Sequence, residues 1–307
     1  MSSTNDRPTL SAAFHPKLKK VFKGCREWLE HSGSNQMLEE NTLELEEFLR
    51  PDKDPSRGAG TRLSLIGHYY SVAACDAVGR NDRAALENYL PWAVAFNALY
   101  VRLASMQHAT IENWMLAPSE FWDSMKAAGP CMLSQWPQAE AAANAFIRMA
   151  ENDQYHRPPL KSRRLKHGTN DAFLVALFAQ GFGIHTRFTP EQPLIPEYQG
   201  LLDAWRTTDE GEFQAAMQAA AEFHLSRSKG STGWKFYEFD SAFTQLFPVE
   251  LLAVQALRRR DGLPAFESGH ALIDGPWTLI RNLPEAEPHP LALAVEARLK
   301  QDYPQFL

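Results

Sequence analysis

The stretch PWAVAFNALYVRLASM, residues 91–106, decides the fold class. Trp92, Ala95, Phe96, Leu99, Leu103 and Met106 recur at spacings of three and four, the period of an α-helix. Val94, Ala98 and Val101 make a second apolar face on the same cylinder. A helix that is apolar on two sides needs cover on two sides, so this one is predicted to lie at the centre of its domain. Pro91 is read as its start, because the missing proline N–H is not needed in a first turn.

The same period continues outward in both directions. Upstream, 61–78 reads as a helix closed by Gly79, and Asp82 is placed to cap its successor by accepting from free backbone N–H groups. Leu18, Val21, Phe22, Cys25, Trp28 and Leu29 form an amphipathic stripe in 15–30, broken at Gly33 and Ser34. Met37, Leu38, Leu45, Phe48 and Leu49 form another in 36–49, and Pro51 with 55–60 reads as loop. Downstream, helices are predicted near 111–116, 119–127 and 138–150, followed by a basic loop over 151–168. Asn170 is placed to cap a helix that Gly181 and Gly183 close. Further helices are predicted at 198–206, 212–227, 236–260 (bent or restarted at Pro248) and 291–301. Only 263–284 lacks the period. The expectation is an all-α protein, a multi-helix bundle or stacked helical hairpins, with at most short strands near 263–284. Its helices fall into an N-terminal lobe, 1–156, and a C-terminal lobe, 169–307, or one continuous domain; any boundary lies within 151–196.

Composition narrows the function classes. Of 307 residues, 44% are hydrophobic and 22% charged, a globular rather than disordered profile. The net charge of −6 weighs against direct nucleic-acid binding, which goes with a basic excess. Cys25, Cys75 and Cys131 are odd in number and widely spaced, so a disulfide framework is not expected and a reducing compartment is. The polar first residues lack a signal peptide's apolar core, and no apolar run approaches the roughly 18 residues of a membrane span. A cytoplasmic protein without a membrane partner is expected.

No catalytic or metal-binding motif emerges, and no cofactor is expected. The ten histidines include no H-E-x-x-H and no clustered Cys/His ligands. His270 and Asp274 stand four apart, the spacing of a helical ligand pair, but Gly269, Gly275 and Pro276 argue against a helix there. His224 and His68 are read as half-buried histidines bonded to neighbouring helices. The sequence GAGTRLS at 58–64 lacks both the strand and the lysine of a phosphate loop. The local concentration of Glu39, Glu40, Glu44, Glu46, Glu47, Asp52 and Asp54 has two readings: a solvated helix face, or a surface for a basic partner. The basic residues Arg157, Lys161, Arg163, Arg164 and Lys166 read as an exposed loop.

Two stretches carry a family resemblance: FQAAMQAAAEFHLSRS at 213–228 and FPVELLAVQALRRRDGLPAFES at 247–268. A helix ending in a histidine, an apolar helix, then an aspartate, a Gly-x-Pro turn and a Glu-Ser pair resemble the immunity protein 49 family of bacterial polymorphic toxin systems. His224, Asp261, Gly262, Pro264, Glu267 and Ser268 occupy those positions, and HALIDGPW at 270–277 departs from the Tyr-Leu-Pro wording of the family. The resemblance implies a stoichiometric inhibitor of a cognate toxin domain, delivered by a type VI secretion or contact-dependent route. The toxin implied is one that acts in the cytoplasm, such as a nuclease. A helical adaptor or chaperone for an effector, or an unrecognised enzyme, remain the alternatives.

Overall fold

The computed structural model describes residues 9–53, 59–110, 121–156, 168–232, 235 and 237–306. Two short 3-10 turns, Leu10–Ala13 and Pro16–Leu18, open the chain. Thirteen α-helices follow among the described residues. They are α1 (Lys19–Glu30), α2 (Ser32–Phe48), α3 (Ala59–Gly79), α4 (Arg83–Thr110), α5 (Phe121–Met132), α6 (Trp136–His156) and α7 (Asn170–Phe182), then α8 (Pro196–Ala204), α9 (Glu210–Arg227), α10 (Ala242–Leu246), α11 (Val249–Arg260), α12 (Asp274–Ile280) and α13 (Pro290–Asp302). The protein is an all-α multi-helix bundle, and its described residues hold no strand beyond an isolated bridge between Thr232 and Lys235.

The two faces of α4 organise the interior. Val94, Ala98 and Val101 join a large apolar cluster that runs through α1, α3, α5, α6, α7, α8, α9, α11 and α12. Phe96, Leu99 and Leu103 join a second cluster with Leu45 and Phe48 of α2, Leu63 and Ile66 of α3, and Val295 and Leu299 of α13. The first cluster thus draws on residues from both predicted lobes, and the second brings the last helix against the first few.

Several boundaries differ from the sequence expectation for local reasons. Asp82 does cap α4, accepting from Ala85 N–H at 3.0 Å, but Pro91 lies inside that helix and not at its start. The cap fixes the helix origin, and packing on both sides carries it through the one missing N–H. Gly79 ends α3, yet the residue with left-handed backbone is Asn81 (φ 59°), whose side chain accepts from Leu10 N–H at 2.7 Å. Gly79 is small for packing: a Cβ there would sit 2.8 Å from Phe22 Cβ. The break between α1 and α2 falls at His31, whose ring Nδ1 accepts from Gly33 N–H at 3.1 Å and starts the new helix. Asn170 does not cap α7; it is buried and donates to Ser124 Oγ at 3.0 Å. Within 263–284, where strands or loop were expected, Asp274–Ile280 is helical. The predicted helix at 111–116, the basic loop residues Arg157 to Lys166 and Asp54 lie outside the described residues.

Candidate interaction surface

Helix α2 buries one side and presents the other. Asn41, Leu45 and Phe48 face inward, while Glu39, Glu40, Leu43, Glu44, Glu46 and Glu47 are exposed. Positions 39, 43, 46 and 47 follow the three-four spacing that puts side chains on one helical face. Leu43, 64% exposed, stands among them, and only it and Leu293 are exposed large hydrophobics among the described residues. The charges of this face are partly matched from within. Glu44 pairs with Arg62, Glu47 with Lys53 at 2.5 Å and exposed Asp52 with Arg50 at 3.5 Å. The bond from Lys53 also holds the Glu47 carboxyl below its ordinary range. Glu40 accepts from Gln36 Nε2 at 2.7 Å. Glu39 and Glu46 have no such partner among the described residues. The structure therefore brings Glu39 to Glu47 onto one helix with Asp52 just beyond it. It adds Leu43, whose signal was its place outside the apolar stripe of 36–49.

The family-like positions lie elsewhere. His224 is fully buried, not half-buried, and is held at both ring nitrogens: Nδ1 lies 2.6 Å from Glu250 Oε1 and Nε2 lies 2.9 Å from the Thr244 carbonyl. A carbonyl only accepts, so Nε2 carries hydrogen. Tyr198 donates to the same Glu250 oxygen at 3.2 Å, and the imidazole stacks on Phe239 with centroids 3.7 Å apart. Burial and the Glu250 carboxylate push the Tyr198 phenol well above its usual range. The His224–Glu250 pair resembles half of an acid–base set, but it is sealed in the core with Tyr198 and Thr244, and the four residues tie α8, α9, α10 and α11 together. His68, by contrast, is exposed, with its ring edge-on to Trp28 at 5.2 Å.

The His270 and Asp274 pair is not a ligand pair. Asp274 accepts from Ser268 N–H at 2.8 Å, Ser268 Oγ at 2.7 Å and His270 N–H at 3.1 Å, closing the turn before α12. The His270 ring turns away, accepting from Leu272 N–H and reaching Glu222 at 3.2 Å. Among the described residues no group of three or more His, Cys, Asp or Glu side chains is placed to hold a metal ion. No helix among them is long and apolar enough to cross a membrane. Two clefts open on the surface. One, of about 620 Å³, lies between α4, the α5–α6 turn and α13; the other, of about 500 Å³, lies between the 262–267 turn and α12. In comparisons with known proteins, no family model, no curated protein and no solved structure matches the chain.

Proposed function

We propose that this chain is a binding protein that neutralises a cognate secreted toxin domain, in the manner implied by its likeness to the immunity protein 49 family. The toxin belongs to a type VI secretion or contact-dependent system and acts in the cytoplasm as a nuclease. The observation that carries this reading is the outer face of α2, where exposed Leu43 sits among Glu39, Glu40, Glu44, Glu46 and Glu47. An apolar contact ringed by one sign of charge is the make-up of a recognition surface: the apolar group supplies burial and the charges steer the approach. A nuclease presents basic residues to phosphate, and an acidic helix is complementary to that surface. The face needs no catalytic group for this task.

Co-expression tests the proposal. A candidate toxin domain is induced with and without this chain, and survival and complex formation are followed together. Rescue with a stable one-to-one complex is expected. A complex that forms while the toxin stays active points instead to an adaptor or chaperone, and absence of both rescue and complex removes the reading.

A further inference from the structure

The three arginines that end α11 meet different fates. Arg260 is paired with Asp261 at 2.7 Å and donates to the Gly181 carbonyl at 2.6 Å. Arg258 is buried, 2% exposed, and is held only by carbonyls: Trp205 at 2.6 Å, Thr207 at 3.0 Å and Pro264 at 3.0 Å. Its guanidinium lies over the Phe213 ring at 4.1 Å and the Phe266 ring at 5.2 Å, and its Nε has no hydrogen-bond partner. No carboxylate pairs with it among the described residues. Arg259 is exposed, and so is Arg281, which follows α12; neither side chain makes a hydrogen bond or an ion pair among the described residues. All three side chains, Arg258, Arg259 and Arg281, line the cleft of about 500 Å³.

Guanidinium stays charged in proteins, and a buried charge without a counter-ion is costly unless something opposite in sign comes to it. The carboxylates of the cleft do not supply it. Asp274 is engaged by Ser268 and His270, and Glu267 is an exposed lining residue with no cation within ion-pair reach among the described residues. Two aromatic side chains, Phe266 and Trp277, add a flat apolar wall, and Thr278 adds a hydroxyl. The volume is that of a small-molecule site. We infer that this cleft binds a small organic anion, its carboxylate or phosphate gripped by Arg259 and Arg281 beside Arg258, its planar body against Phe266 and Trp277. The fork of an arginine matches either oxyanion in two parallel hydrogen bonds. The inference rests on α11, α12 and the turn between them, and stands apart from the toxin-neutralising role of α2.

Isothermal titration calorimetry on the full chain tests it with phenyl phosphate, benzoate and neutral benzyl alcohol. At least one anion is expected to bind saturably at a single site while benzyl alcohol does not, and the tighter of the two anions identifies the oxyanion. The double variant Arg259→Gln/Arg281→Gln is expected to weaken that binding about tenfold or more, as for a lost charge-assisted pair. Both side chains are exposed and unengaged, so its melting curve should overlay the parent's. Arg259→Lys/Arg281→Lys is expected to recover part of the affinity, and Glu267→Gln to raise it. The inference is overturned if neither anion saturates, if the alcohol binds as well as the anions, or if the double Gln variant binds like the parent.

Discussion

The buried cluster of His224, Glu250, Tyr198 and Thr244 and the outer face of α2 use the same kind of residue in opposite ways. In the cluster a carboxylate at 0% exposure has its partners on two other helices, all within the chain. On α2 the carboxylates face solvent, and their internal partners are short-range surface cations. Removing a partner from the first leaves an uncompensated polar group in a low-dielectric interior; removing one from the second hands a charge back to water. The cluster therefore constrains the fold and the face is free to serve another molecule.

The sharpest way to break this comparison is to cut the cluster. Glu250→Ala leaves the His224 Nδ1 and the Tyr198 hydroxyl without their shared partner, and is expected to cost about 3–5 kcal/mol. Urea unfolding followed by circular dichroism reads the loss, and a change below about 1 kcal/mol would put the cluster on a par with the surface. A second interior seam is steric. A Cβ on Gly275 would stand 1.7 Å from the Ala13 carbonyl oxygen, so Gly275→Ala must push the first 3-10 turn off α12. A loss of about 1–3 kcal/mol is expected, with faster amide exchange confined to the opening turns.

A smaller effect, and one that depends on pH, joins interior to surface at α13. His289 caps this helix by accepting from Leu291 N–H at 3.2 Å through Nδ1, while Nε2 meets the Tyr70 hydroxyl at 3.1 Å. Only the neutral ring can accept at Nδ1. Burial holds its pKa below the ordinary imidazole value of about 6.5. A group whose folded pKa is lowered in this way stabilises above the unfolded value, and that contribution is lost as pH falls through the folded one. Stability is thus expected to drop by about 1 kcal/mol, the worth of a cap, as pH falls from 7 to below the folded pKa. Asn at this position keeps a capping oxygen without the titration, so a His289→Asn chain that retains the same acid dependence would assign the drop to another group.

Much of the fold was legible because helical period is written in local sequence. The two faces of α4 appear in the stretch 91–106 and part into the two clusters as read. What was not legible depended on partners distant in the chain. Gly79 reads as a helix stop and does end α3, but the need for a small residue there shows only once Phe22 is found against it, and Asp274 reads as half of a spaced pair with His270 until Ser268 and His270 are seen donating to it. The capping histidines, His31 and His289, escaped because the ring acceptor depends on a tautomer that sequence does not record. Of the surface, the acidic residues were visible as a run; Leu43 was marked only by its place outside the stripe, and its exposure follows from how α2 packs. The arginine cleft was hidden because Arg281 lies more than twenty residues from Arg258 and Arg259 in the chain.

The smallest change in stability should accompany the largest change in recognition. Glu39 and Glu46 lack internal cations and Leu43 is mostly exposed, so Glu39→Lys/Glu46→Lys and Leu43→Asp should move the unfolding free energy by no more than about 0.5 kcal/mol each. Reversal of two charges turns an attractive approach to a basic partner into a weaker or repulsive one, and so should act mainly on the association rate and its salt dependence. Loss of Leu43 removes the apolar contact and should act on the dissociation rate. Glu44→Lys is the discriminating control, because it also breaks the pair with Arg62 and should register in stability as well as binding. Surface plasmon resonance at two ionic strengths separates the rates. If the Glu39 and Glu46 reversal leaves both rates and their salt dependence as in the parent, the face of α2 is a solvated surface and the partner docks elsewhere.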